Sequence, residues 1–252
     1  MEKRDLKTLT VTLYNRPDYT KTTLDHLAQC DDIENYHIWI FCEPGNNDVI
    51  KLAQNFRPNN NTHLVVNPNK LGCSSNIFQS LDFGFAINDY HIHIEDDIVP
   101  GKDCLRYFEW ARHKFQNDNS IYTVSAYMKR DVELTESQLS QKENVVIKRK
   151  WFSPWGWATW RNRWDEIRHS VLCEVDQKYS WDTTVHRLIG DRYELCPVVS
   201  RVQNIGACNG TYCPGPEWHK ENQFNSTWVE TDKKYASEFL DLTNIIKPEE
   251  VN

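Results

Sequence analysis

Over its first hundred residues the chain switches repeatedly between two hydrophobic periods, the alternation of a strand and the three-to-four spacing of a helix. Leu9 to Tyr14 (Leu-Thr-Val-Thr-Leu-Tyr) predicts a strand, and Asn15-Arg16-Pro17-Asp18 ends it with a proline suited to a first helical turn. Leu24 and Leu27 lie at helical spacing within Thr20–Gln29. A second strand, His37–Cys42, stops at Glu43-Pro44-Gly45 before a helix that runs to about Phe56. A third, His63–Val66, stops at Asn67-Pro68-Asn69. A helix over Ser74–Ala86 carries Ile77, Leu81 and Phe85, and a fourth strand, His91–Ile94, runs into three consecutive acids. This β-α-β-α-β-α-β order predicts an α/β fold with a mostly parallel, doubly wound sheet flanked by helices. Such sheets bind ligands beyond the carboxyl ends of their strands. Here those ends carry Asn15 and Arg16, Glu43, Asn67, and Glu95-Asp96-Asp97.

The second half is less regular. It predicts a helix from Lys102 to about Phe115, a strand over Ile121–Ala126, a polar mobile loop over Asp131–Lys142, a helix over Trp181–Leu188 and a strand over Leu195–Arg201. Between these lies the aromatic run Trp151–Trp164, and after them a Gly, Pro, Asn and Cys-rich loop, Gly206–Glu221. No linker separates the halves, so one domain over residues 1–252 is expected.

Composition narrows the function classes. Hydrophobic residues make up 39% of the 252, which supports a packed core and excludes disorder. The net charge of −7 argues against nucleic acid as a partner, because a phosphate backbone wants a basic surface. No apolar run reaches the roughly 18–20 residues of a membrane helix. The first residues lack a signal peptide's apolar region, so the expected location is cytoplasmic, or that of a soluble fragment of a membrane-anchored protein. Eight scattered cysteines contain no C-x-x-C and predict buried free thiols rather than a zinc site, with Cys208 and Cys213 the pair flanking a turn.

Three segments carry candidate chemistry. Glu95-Asp96-Asp97 ends an apolar strand, and three adjacent carboxylates there are costly unless a divalent cation with a diphosphate compensates them. A rival reading uses strand alternation, which points His91, His93, Glu95 and Asp97 one way, as a histidine–carboxylate metal centre of a hydrolase or oxygenase; buried neutral core histidines are the blander account. The run Trp151 to Trp164 holds five tryptophans, whose indole faces suit sugar rings, either in a catalytic cleft or in a non-catalytic carbohydrate-binding module. Trp160 and Trp164 fit i,i+4 on a helix, and Gly156 would let backbone approach a substrate closely. Asp182 opens a helix, where a carboxylate serves as a cap or as a base. The phosphate-loop, dinucleotide, zinc-protease and serine-hydrolase signatures are all absent from the sequence.

Taken in order, these residues resemble GT-A fold glycosyltransferases, with Glu95-Asp96-Asp97 standing where that fold carries its Asp-x-Asp motif. The order is similar to the N-acetylglucosaminyltransferase I type: Asn15-Arg16, Glu43, Glu95-Asp96-Asp97, Tyr107-Phe108, Val124-Ser125-Ala126, Pro154-x-Gly156-Trp157 and Trp181-Asp182. The Trp-Gly-Trp-Ala-Thr-Trp run also resembles bacterial family-two-like transferases. The likeness spans roughly residues 8–205. It implies a nucleotide-binding half (about 1–100) and an acceptor half (about 101–252). It further implies a UDP-sugar donor (GlcNAc by resemblance), a glycan or other hydroxyl acceptor, and Mn2+ or Mg2+. Asp97 would bind the metal, with His219 an additional metal or phosphate contact. Glu95 and Asp96 would hold the ribose and uridine side. Asn15, Arg16, Glu43 and Lys70 would contact the nucleotide, Glu43 replacing the family's usual Asp before the uracil. Gly156 and Trp157 would line the sugar pocket and Asp182 would be the general base, next to Thr183 where the family has a second acid. One base without an enzyme nucleophile implies inversion, and Gly206–Glu221 is the expected lid.

Overall fold

The structure is a computed structural model and describes residues 6–128, 145–174, 180–208, 210 and 215–221. Its first half follows the sequence pattern closely. Strands β1 (Lys7–Leu13), β2 (Tyr36–Cys42), β3 (Thr62–Val66) and β4 (Tyr90–Glu95) alternate with helices α1 (Pro17–Leu27), α2 (Asn47–Asn55) and α3 (Cys73–Ile87). Pro17 takes the first turn of α1, and the Asn46 side chain caps α2 by accepting from the N–H groups of Asp48 and Val49.

After β4 come a short strand β5 (Ile98–Pro100), α4 (Cys104–Phe115), β6 (Ile121–Ser125), β7 (Val146–Arg149) and β8 (Trp157–Trp160). Then follow α5 (Arg161–Glu174), α6 (Trp181–Leu188), β9 (Tyr193–Pro197), β10 (Val202–Asn204) and α7 (Pro216–Glu221). One eight-stranded sheet runs in the order β3-β2-β1-β4-β8-β6-β9-β7, and β5 pairs with β10 in a separate two-stranded ribbon. The sheet is mostly parallel; β8 runs against both β4 and β6, and β7 against β9. Through β4–β8 the two halves of the chain share one continuous sheet.

Helices cover both faces. One apolar cluster joins Leu9, Val11, Ile38, Ile92 and Ile94 to α1, α2 and α4; a second joins Trp157 to α3, α5 and α6. Alternation along the central strands decides what each face receives. On the α3 side β1 presents threonines and β4 presents His91 and His93, and the parallel register sets Thr10 beside His93. Gly84 of α3 makes room for this: a Cβ there would lie 2.3 Å from the His91 ring.

Several expectations change. Trp160 ends β8 and Trp164 lies in α5, which begins at Arg161, so the two do not share a helix. Of the expected strand Leu195–Arg201, only the first part is strand: β9 ends at Pro197, and the chain re-enters a strand at Val202, in the separate β5–β10 ribbon. The polar segment Asp131–Lys142 lies outside the described residues. All seven described cysteines are free, and Cys213 lies outside them. Among the described residues no helix is long and apolar enough to cross a membrane.

Candidate functional site

Two adjoining cavities open at the carboxyl ends of β1, β2 and β4. The larger, about 450 Å3, is lined by Tyr14, Asn15, Glu43, Lys70, Asn76 and Asp96, among others. The smaller, about 280 Å3, is lined by Asp97, Trp155, Trp181, Asp182, Asn204 and His219, among others. Arg16, Cys73, Glu95 and Gly210 border both. The carboxylates at the end of β4 therefore stand at the junction, with Asp182 in the smaller chamber.

The acid trio is held under strain of charge. Burial, then Asp97 and Asp96, push the Glu95 carboxyl well above the usual range. Burial and Asp97 push Asp96 up to about 6 against the pull of Arg16. Arg16 is the compensating cation: it is bound to Asp96 through two nitrogens, and its Nη2 lies 2.9 Å from Asp97 Oδ2. Burial lowers the guanidinium's affinity for its proton, but Asp97 and Asp96 outweigh that and hold it firmly charged.

Asp97 sits in the turn between β4 and β5, and the chain after β10 wraps it. The Ile205 N–H donates to the Asp97 carbonyl at 2.9 Å. A Cβ on Gly206 would lie 2.1 Å from Asp97 Oδ2, so a side chain there would have to displace the carboxylate. Asn204 Oδ1 accepts from the Gly206 N–H at 2.8 Å and lies 3.2 Å from His219 Nε2. A carbonyl partner of this kind orients the ring of a ligating histidine. The oxygen donors beside the cradle that glycine leaves open, with His219 facing the same chamber, are of the kind Mn2+ or Mg2+ takes, although among the described residues no three His, Cys, Asp or Glu side chains are grouped as a metal site.

Asp182 occupies the first turn of α6, after the N-cap Ser180, whose Oγ donates to Thr183 Oγ1 at 2.9 Å. Thr183 stands where the resemblance leads one to expect a second acid, and the Ser180 side chain caps no backbone N–H of the helix.

Other expected residues fall elsewhere. Glu43 borders the larger cavity, but its carboxylate accepts from the N–H groups of Leu71 and Gly72 at 2.9–3.1 Å. It fixes the turn into α3, and its oxygens are engaged there rather than turned to a ligand base. Lys70, on that turn, donates to the Tyr14 hydroxyl at 2.7 Å. Trp157 is 1% exposed and packs against Phe152, Trp164 and Trp181, because β8 is an interior strand; Trp155 and Trp181 border the chamber instead. Gly156 also borders neither cavity: its φ of +66° and its closeness to Val202 and Ile98 make it a turn packed on the β5–β10 ribbon.

His91 and His93 also stay out of both cavities. His91 contacts Thr8 and Thr10 at 3.1 and 2.8 Å, and His93 contacts Thr10, Ser80 and Thr12 at 3.1, 3.3 and 3.5 Å. Burial drives both imidazoles down to about 3, with His93 adding to the effect on His91, so both are neutral. A histidine-built metal centre has no basis in this geometry. Of the five tryptophans in the aromatic run, Trp157, Trp160 and Trp164 are buried, Trp151 is exposed and Trp155 borders the smaller chamber.

Sequence reasoning missed Cys73 and Asn204 at the site, and placed Trp155 only within the aromatic run and Gly206 only at the start of the expected lid. Only the Leu71-Gly72-Cys73 turn ahead of a helix hinted at the first. Of the expected lid, Pro216–Glu221 is helical and the Cys208 N–H is tied to the Tyr19 hydroxyl at 3.0 Å; residues 209 and 211–214 lie outside the described residues.

No protein-family profile matches the sequence, and no curated protein is similar to it. Solved structures are similar in fold. The mannosyltransferase PcManGT from Pyrobaculum calidifontis, in complex with GDP-Man and Mn2+, superposes with a TM-score of 0.50 at 14% identity, covering 75% of this chain and 54% of that one. S. aureus TarS 1–349 does so with a TM-score of 0.53 at 10% identity, covering 76% and 58%. This chain thus spans little more than half the length of either. At such identities the likeness is one of architecture: the protein has the mixed α/β, GT-A-like fold found in these glycosyltransferases.

Proposed function

We propose that this protein is a metal-dependent, inverting glycosyltransferase that moves a sugar from a UDP-sugar, GlcNAc by resemblance, to a hydroxyl of a glycan acceptor. The reading treats residues 1–252 as one catalytic unit. The observation that carries it is the arrangement of the two cavities: a chamber of nucleotide size meets a second holding Asp182, with Glu95 and Asp97 at the junction.

In this reading Asn15, Lys70 and Asp96 border the nucleoside, and Glu43 serves by shaping the 70–72 turn. Asp97, with Glu95 and His219 beside it, would hold Mn2+ or Mg2+. When bound, the cation supplies Lewis-acid stabilisation of charge on the departing diphosphate. Arg16 adds a permanent positive charge near the same diphosphate. Asp182 takes the proton from the acceptor hydroxyl, whose own acidity is far too low for attack near neutral pH. Trp155 and Trp181 exclude water from the sugar. The Cys73 thiol, the other nucleophile at the junction, is kept protonated by burial and by the neighbouring carboxylates, which supports single displacement with inversion.

A donor panel with Mn2+, including UDP-GlcNAc, other UDP-sugars and the GDP-mannose held by the mannosyltransferase relative, tests this through released nucleoside diphosphate. Transfer is expected from a UDP-sugar and to require the divalent ion. Asp182→Asn should lower turnover by about 10²–10⁴-fold while UDP with Mn2+ still raises Tm. A variant that keeps the wild-type rate removes Asp182 from the role of base.

A further inference from the structure

Arg16 leaves the carboxyl end of β1 and borders both cavities. It contacts Asp96 through Nε and Nη2, and the same Nη2 lies 2.9 Å from Asp97 Oδ2. That oxygen is the one for which Gly206 leaves room. The three side chains are 15%, 7% and 13% exposed, so these contacts are poorly screened by solvent. The Arg16 guanidinium carbon also lies 5.3 Å from the centre of the Tyr19 ring, whose hydroxyl holds the Cys208 N–H. A single cationic side chain therefore sits against Asp97 Oδ2, in the chamber that Asp97 lines.

We infer that Arg16 is the resident counter-ion of the acid cluster, and that it sets the order of assembly. A divalent cation binding alone must approach a carboxylate already neutralised by Arg16, and the two positive charges repel. A nucleoside diphosphate offers Arg16 a second anion and draws the guanidinium off Asp97. Cation and nucleotide then strengthen each other through this side chain, by equal factors in both directions. The inference rests on Asp97 being the cation ligand. It adds that the free protein holds the cation weakly because of Arg16.

The test is Mn2+ binding by the full chain, measured from the electron paramagnetic resonance signal of free Mn2+, with and without UDP. Wild type is compared with Arg16→Met, Arg16→Lys and Asp97→Asn. Arg16→Met should bind Mn2+ alone about tenfold more tightly than wild type, and UDP should add less to that affinity. Arg16→Lys keeps the charge without the fork and should fall between the two; it also serves if the methionine variant does not fold by circular dichroism. A merely structural role for Arg16 predicts the opposite sign, since a loosened site binds more weakly. Equal or weaker Mn2+ binding by both Arg16 variants, with Asp97→Asn still abolishing it, overturns the counter-ion role and leaves the proposed activity standing. Mn2+ binding indifferent to Asp97→Asn overturns both.

Discussion

The two ends of β4 treat buried polarity in opposite ways. At its start, His91 and His93 lie inside the sheet with threonine and serine hydroxyls at hydrogen-bond distance, and both imidazoles are neutral. At its end, three carboxylates crowd together with Arg16 as their cation, and two of them are pushed upward by burial and mutual repulsion. The difference separates structure from function on a single strand. A satisfied buried polar group contributes roughly 1 kcal/mol and specifies packing. A crowded, under-compensated charge costs stability and is kept where a ligand repays it.

Substitution at the two ends should therefore give opposite signatures. The largest effect is expected at the acid end: Asp97→Asn should lose transfer by more than the about 10–100-fold typical of second-shell losses, and should remove the Mn2+-dependent rise in Tm with UDP. Its chemical denaturation midpoint without metal should stay at or above that of wild type. A clear drop in that midpoint would erase the contrast.

A smaller effect, on stability alone, is expected at the histidine end. Gly84→Ala places a Cβ on the His91 ring and should cost about 1–3 kcal/mol in urea denaturation. Mn2+ affinity of the folded fraction should not change. If affinity falls in parallel with stability, the two ends are not independent.

The smallest effect carries the sharpest sign. Because burial and its acidic neighbours hold the Glu95 carboxyl well above its ordinary value, the folded protein keeps that proton to a higher pH than the unfolded chain. Stability is therefore lost as pH rises through and above the ordinary carboxylate range. Glu95→Gln removes that loss. The metal-free variant should melt a few degrees above wild type near neutral pH and coincide with it below about pH 4, where both forms carry the proton. Scanning calorimetry across that range checks the sign, and a variant less stable near neutrality contradicts it.

How legible all this was depended on chain direction. The parallel half could be read because each strand is followed by its helix, and periods of two and of three to four alternate in order. Even the threonine–histidine face was visible as Leu-Thr-Val-Thr-Leu and Ile-His-Ile-His-Ile, though their mutual satisfaction needed the register of β1 against β4. In the other half, β8 is four residues long and antiparallel, inserted between strands distant in sequence. Its Trp157-Ala158-Thr159-Trp160 carries no alternation, because both faces are covered. That pattern points to Trp157 as a wall of the pocket, whereas it supports that wall from behind through Trp181. The place of Glu43 at a strand end suggests a ligand contact, but that rule fixes location and not the backbone N–H groups that engage its carboxylate. Trp164, Ile167 and Val171 do lie at helical spacing in α5, a signal hidden by the aromatic run before it.

The β5–β10 ribbon has a consequence for how the protein comes into being. The wrapping of Asp97 is delivered by Asn204, Ile205 and Gly206, which are synthesised long after the strand they complete. A nascent chain released after β9 would own every strand of the main sheet and all three acids, yet lack the segment that shapes the space beside them. Binding of the proposed cation should thus appear only when residues 204–206 have left the ribosome, and until then the charged lip stays unrewarded.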